Sequence, residues 1–164
     1  MERPSTMDTL QIAKEFLKNN KLASLATLAH DSGRPQLSVV YYILEDNYIF
    51  FITDKGSRKA LNVIKNKKIA LLIVYERFSE MLQIEGTCEI IDNSDIRLRK
   101  SMQIFDKINS ADTSEPWPVL KLHPIDLEVF KIEVEWFKYS KFGEDTALLE
   151  GSKNDWFGLS TSKI

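Results

Sequence analysis

The sequence predicts an α+β, mainly β protein built around an antiparallel barrel. Three observations carry that reading. Five or six β-rich runs follow one another in hairpin order, few segments have helical periodicity, and two of the runs are apolar on both faces. At 164 residues the chain is about one domain long. We therefore read 1–164 as a single domain, with 139–164 as an irregular C-terminal extension.

The elements follow in order. Leu10, Ala13, Phe16 and Leu17 stand at helical spacing between Met7 and Asn20, which predicts an amphipathic first helix ended by Asn19-Asn20. Leu22 to Ala29 reads as a strand, His30-Asp31-Ser32-Gly33 as a turn, and Leu37 to Leu44 as a second strand that Pro35 introduces. Asp46-Asn47 makes a tight turn into a third strand, Tyr48 to Thr53. Ser57 to Asn66 is a short helix with Ala60, Leu61 and Ile64 on its inner side. Ile69 to Tyr75 and Met81 to Ile91 are two further strands joined near Glu76-Arg77. Ser94 or Asp95 caps a third helix to about Ile108, with Leu98, Met102 and Phe105 at i, i+4 and i+7. A polar loop from Asn109 to Glu115 leads to Trp117-Pro118, and Asp126 to Phe137 is the last clear strand.

Two strands lack the polar–apolar alternation of an antiparallel strand with one wet face. Leu37-Ser38-Val39-Val40-Tyr41-Tyr42-Ile43-Leu44 and Ile69 to Tyr75 must both be covered on two sides. One cover is the barrel interior. The other is a helix, a flat ligand or a second copy of the chain, and a two-fold dimer is the commonest solution.

The most informative stretch is Phe51-Ile52-Thr53-Asp54-Lys55-Gly56-Ser57-Arg58-Lys59, where a strand turns through glycine into a helix. Ser57 suits the N-cap. Arg58 and Lys59 then place two cations at the positive end of a helix, which is unfavourable without a negative partner. With the Thr53 hydroxyl and free amides beside them, that partner reads as a phosphate. The alternative is a capped surface helix with two solvated basic side chains.

Other chemistry finds little support. The net charge of −2 gives no reason to expect nucleic acid or an anionic membrane as a partner. His30 and His123 lack ligand spacing, so no metal site is expected, and no nucleophile motif frames Ser57. Cys88 is the only cysteine and reads as an inert buried thiol in a reducing compartment. No leader peptide or membrane-length apolar run is visible, so a soluble, cytoplasmic protein is expected. Trp117, Trp136 and Trp156 are candidates to shield a flat ligand or to pack a core.

Taken in order, Leu25-Ala26-Thr27-Leu28, Asp31-Ser32-Gly33-Arg34-Pro35, the two-sided strand, the Thr53 to Ala60 block, Ile69-Ala70-Leu71-Leu72 and Ile84-Glu85-Gly86-Thr87 resemble the pyridoxamine 5'-phosphate oxidase-like family of FMN-binding split barrels. The resemblance covers roughly Leu10 to Asp92. It implies a split barrel that binds FMN at the interface of a homodimer. Thr53, Ser57, Arg58 and Lys59 would hold the phosphate, with Ile52 beside them. Val39, Val40 and Tyr41 would lie along the isoalloxazine ring, their backbone groups meeting its polar edge.

Departures from the family pattern bear on activity. Positions that carry Arg and Lys on the second strand of the true oxidases hold Ser38 and Ile43 here, and a family Gln falls on Met81, with Gln83 two residues away. The C-terminal Trp and Arg pattern that closes the oxidase's substrate site is absent, and Glu135-Trp136-Phe137 is similar to an acidic-aromatic segment of the broader family. These departures argue against pyridoxal phosphate synthesis. The resemblance implies an FMN-dependent oxidoreductase acting on a small molecule, with NADH or NADPH as a candidate electron donor. The alternatives are a non-catalytic flavin-binding or electron-transfer module, or a groove that takes haem or a deazaflavin.

Overall fold

The structure, a computed structural model, describes residues 6–75, 79–110, 126–144 and 146–159. Its elements in chain order are α1 (Thr6–Asn19), β1 (Leu22–Leu28), β2 (Pro35–Glu45), β3 (Tyr48–Asp54), α2 (Arg58–Lys65), β4 (Lys68–Tyr75), β5 (Glu80–Ile90), α3 (Ser94–Asn109), β6 (Leu127–Lys141), β7 (Ala147–Ser152) and α4 (Lys153–Trp156). Seven strands form one sheet in the order β3-β2-β1-β4-β5-β6-β7, and an added β3–β6 pairing closes six of them into an antiparallel barrel. Among the described residues no helix is long and apolar enough to cross a membrane.

Local chemistry explains the main turns. Asp46 and Asn47 both take positive φ, 51° and 65°, the left-handed pair that a two-residue hairpin of matching twist requires. At Glu85/Gly86 the β5–β6 register shifts by a bulge, and a Cβ on Gly86 would sit 2.5 Å from the Glu133 carbonyl oxygen. Only glycine lets the two backbones approach that closely.

Two apolar clusters hold the fold. The barrel interior contains Leu25, Val40, Tyr42, Phe51, Leu71, Ile84, Phe130 and Phe137, closed over by Leu10, Ala13, Phe16 and Leu17 of α1 and by Ala60 and Val63 of α2. A second cluster lies outside the barrel wall, where Ile43, Phe50, Ile52, Leu127 and Val129 pack with Ile104 and Ile108 of α3. That helix supplies much of the second cover that the two-sided β2 demands.

Three expectations change. On α2, Ala60 faces in as expected, but Leu61 and Ile64 are exposed while Asn62 and Val63 are buried. The helix is turned by the hydrogen bonds of Asn62, described below. On α3 the cap is Asn93, whose side chain accepts from the amides of Asp95 and Ile96, and Leu98 and Met102 are exposed. The inward face carries Lys100, because its ammonium pairs with Glu45 and lies 4.3 Å from the centre of the Phe50 ring. Finally, 139–164 is regular over most of its described length. Strand β6 runs on to Lys141, β7 pairs with it, and α4 drives Trp156 into the core against Phe137, with its ring N–H donating to the Asn47 carbonyl at 2.9 Å. The tail therefore packs against its own barrel. Trp117, His123 and the 111–115 part of the expected polar loop lie outside the described residues, as does the connection at Glu76-Arg77.

Candidate functional site

The site begins where the barrel wall splits. Strands β2 and β3 pair only from Tyr42↔Phe51 to Glu45↔Tyr48. Beyond Phe51, β3 leaves β2 and stays with β6 as far as Asp54↔Leu127. Strand β2 continues with β1 alone, from Leu22↔Tyr41 to Leu28↔Pro35. The bonds from Ala29 N to Arg34 O and from Tyr42 N to Lys21 O set which β2 residues face β1. By ladder alternation these are Gln36, Ser38 and Val40, so the backbone groups of Leu37 and Val39 point toward the side β3 has vacated.

The start of α2 fills the mouth of that gap. Ser57 takes an extended N-cap conformation, and its Oγ accepts from the Ala60 amide at 3.3 Å. Thr53, buried at the end of β3, shares a 3.0 Å hydrogen bond with the same Oγ. No acidic residue stands in the first turn of α2 to balance Arg58 and Lys59. Together Thr27, Gln36, Leu37, Ser38, Ser57, Arg58 and Lys59 line a groove of about 440 Å³.

The two cations differ. Arg58 is exposed and reaches Asp31 of the β1–β2 turn at 3.4 Å, an ion pair that solvent screens. Lys59 is partly buried. Loss of water pulls its ammonium below the ordinary lysine value, opposed by the Asp54 carboxylate. A dianion in the groove would relieve that cost directly.

A polar network anchors the groove from behind. Buried Asn62 accepts from the His30 backbone N–H at 2.8 Å and lies 2.9 Å from His30 Nδ1. Its amide nitrogen donates to Thr27 Oγ1 at 3.0 Å and to Gln36 Oε1 at 2.7 Å. One side chain thus ties α2 to β1, β2 and the turn between them.

Of the residues the sequence nominates, the structure brings Ser57, Arg58 and Lys59 into the groove with Thr53 behind them. It does not bring in the side chains of Val40 and Ile52. Strand alternation sends Val40 into the barrel interior and Ile52 into the cluster under α3. Tyr41 also packs against the α3 cluster, while Val39 stands outward and is 60% exposed. Sequence reasoning named Thr27 and Asp31 only as parts of the family pattern, not as site residues, and missed Gln36 and Asn62. The one available signal was Asn62, a polar residue beside Val63 on the arc that turns out to face inward. Of the two described tryptophans, Trp156 is core, and Trp136 lies on the outer face of the sheet with its N–H on Glu150 at 3.0 Å. Cys88 is buried, and that burial pushes its thiol up, away from reactivity.

The sequence pattern described as pyridoxamine 5'-phosphate oxidase matches residues 10–141, well over half of the chain. The chain belongs to the pyridoxamine 5'-phosphate oxidase-like family. No curated protein matches it in sequence. Among solved structures, one neighbour is a protein from Clostridium acetobutylicum related to general stress protein 26 of B. subtilis, of the pyridoxinephosphate oxidase family. It gives a TM-score of 0.66 at 16% identity, covering 93% of this chain and 99% of that one. A heme binding protein from Mycobacterium smegmatis gives 0.70 at 16% identity, covering 96% of this chain. The chain spans 62% of that protein's length. An F420 reductase gives 0.61 at 17% identity, covering 76% of this chain and 94% of that one. At these identities the likeness is one of fold. The pyridoxinephosphate oxidase family protein, the heme binding protein and the F420 reductase thus share the barrel with this chain.

Proposed function

We propose that this family member binds FMN in the split of its barrel and is an FMN-dependent oxidoreductase acting on a small molecule. The observation that carries the reading is the groove between β2 and α2. Its walls offer hydroxyls, an amide and two cations at a helix N-terminus, and no carboxylate is among the described residues that line it. That donor set fits a phosphate monoester. The backbone edge of Leu37 and Val39 lies next to it and can meet the hydrogen-bonding rim of a flat ring. Bound there, flavin supplies hydride or single-electron chemistry, and the protein supplies orientation and access.

The exposed side of the sheet supports assembly as a homodimer with the ring at its interface. Leu37, Val39 and Leu72 are 74%, 60% and 38% exposed. Each belongs to a strand whose sequence is apolar on both faces. A patch of this kind on a lone barrel invites a second copy.

Haem and a deazaflavin are the competing ligands, because a heme binding protein and an F420 reductase share the fold. A pair of cations around a serine cap favours a phosphate-bearing ligand over haem. The deciding experiment is the visible spectrum of the purified protein before and after adding FMN, with gel filtration and an NADH or NADPH oxidation assay beside it. A flavin spectrum with catalytic turnover supports the proposal. Flavin without turnover leaves an electron-carrying module, and a Soret band or failure to take up FMN overturns it.

A further inference from the structure

The Asn62 network determines more than the position of α2. Its amide cannot be reversed, because its Oδ1 accepts from the His30 backbone N–H, which can only donate. The Nδ2 group is therefore a donor to both of its other partners, Thr27 Oγ1 and Gln36 Oε1. Each partner is then fixed in polarity. Gln36 must turn its carbonyl oxygen toward Asn62, which leaves its Nε2 group and two N–H donors on the other branch. Thr27 uses an oxygen lone pair toward Asn62 and keeps its own proton to give. Both residues line the groove with Ser57, Arg58 and Lys59.

We propose that Asn62 is a positioning residue that makes this groove donating throughout, and that Gln36 Nε2 and the Thr27 hydroxyl are ligand-binding donors to the phosphoryl oxygens of the bound cofactor. The inference rests on the reading of the groove as a phosphate site and adds a second wall to it. The phosphoryl group is held from the α2 side by charge and from the β1–β2 side by neutral donors whose direction a buried amide sets. The sequence conceals this, because Thr27, Gln36 and Asn62 are far apart in the chain.

The test compares Gln36→Met, Gln36→Glu and Asn62→Asp with the parent protein. FMN and riboflavin are titrated by flavin fluorescence, and the Gln36 side-chain amide is followed by NMR. Gln36→Met keeps length and removes the donor, so FMN binding should weaken roughly tenfold or more, with riboflavin unchanged. Gln36→Glu should weaken FMN further, since one oxygen satisfies Asn62 and the other turns an acceptor on the phosphate. Asn62→Asp turns the central donor into an acceptor. Gln36 should then reverse, FMN affinity should fall, and the Gln36 amide signals should no longer respond to FMN. Should that variant fail to fold, the two Gln36 variants and the parent's amide response decide the matter.

If the parent prefers FMN to riboflavin, and Arg58→Ala with Lys59→Ala abolishes that preference while both Gln36 variants keep full affinity, the donor assignment is overturned and the cationic cradle stands. If a folded Asn62→Asp protein keeps both its FMN affinity and its amide response, the positioning role is overturned. If the parent shows no preference for FMN, the phosphate reading falls and this inference falls with it.

Discussion

Replacing Lys59 with Met is the sharpest probe of the proposed phosphate site, because it removes one charge and keeps most of the side chain's bulk. In the free protein this ammonium is partly desolvated, with only Asp54 opposing the loss of water. A phosphoryl group would supply the missing compensation. A charge-assisted bond contributes about 2 kcal/mol, so FMN should bind ~30-fold more weakly. Arg58→Gln should cost less. Its guanidinium is 57% exposed and already engages Asp31 at 3.4 Å, so about 1 kcal/mol, or ~5-fold, is expected. Riboflavin lacks the phosphate and should bind both variants as it binds the parent. The assay is fluorescence titration of each variant with both flavins at fixed ionic strength. Equal losses for FMN and riboflavin, or a larger loss at Arg58 than at Lys59, would refute the reasoning.

Further outcomes are expected elsewhere. Asp31→Asn frees Arg58 from its surface partner and should tighten FMN a few-fold at low salt, with the gain shrinking as salt is added. Leu37→Lys combined with Val39→Lys places two charges on the exposed apolar face and should convert a dimer to a monomer on gel filtration. Gly86→Ala drives a Cβ to 2.5 Å from the Glu133 carbonyl oxygen and should cost about 3 kcal/mol, read as a lower urea midpoint. Lys107 caps the Asn20 carbonyl at 2.5 Å and the Tyr42 carbonyl at 3.3 Å, and burial first, then Lys21, pulls its ammonium from 10.5 to about 8. Between those two values the unfolded chain holds a proton that the folded chain has released, so raising the pH favours the folded state. Denaturant midpoints of the parent and Lys107→Met should therefore diverge in the parent's favour between pH 8 and 10, and parallel profiles would dismiss that assignment.

Much of this protein was legible in its sequence, for local reasons. The Asp46-Asn47 hairpin, the Ser57 cap and the β-rich runs depend on residues close in the chain, whose backbone preferences act in almost any context. The cationic half of the groove was legible on the same ground, since Ser57, Arg58 and Lys59 are adjacent. Reading failed where a long-range partner overrode a local pattern. Leu61 and Ile64 look like the buried face of α2, but the hydrogen bonds of Asn62 to its three partners, His30, Thr27 and Gln36, outweigh two methyl-rich side chains and rotate the helix. Lys100 looks like a surface residue of α3, yet Glu45 and the Phe50 ring hold it inside. The tail looked irregular because β7 is short and its partner β6 lies across a turn at Gly143.

By itself, then, the sequence determined the family, the antiparallel barrel and the cationic start of α2, because each is encoded in contiguous residues or in their order. Tertiary structure alone decided where β2 and β3 part, the inward turn of Asn62, and the meeting of Thr27 and Gln36 with Ser57. Those depend on which strand β3 chooses as its partner beyond Phe51. That choice is made by the packing of Phe51 on Phe130, with ring centres 5.1 Å apart, and of Ile52 beside Val129 under α3, contacts between residues nearly eighty positions apart.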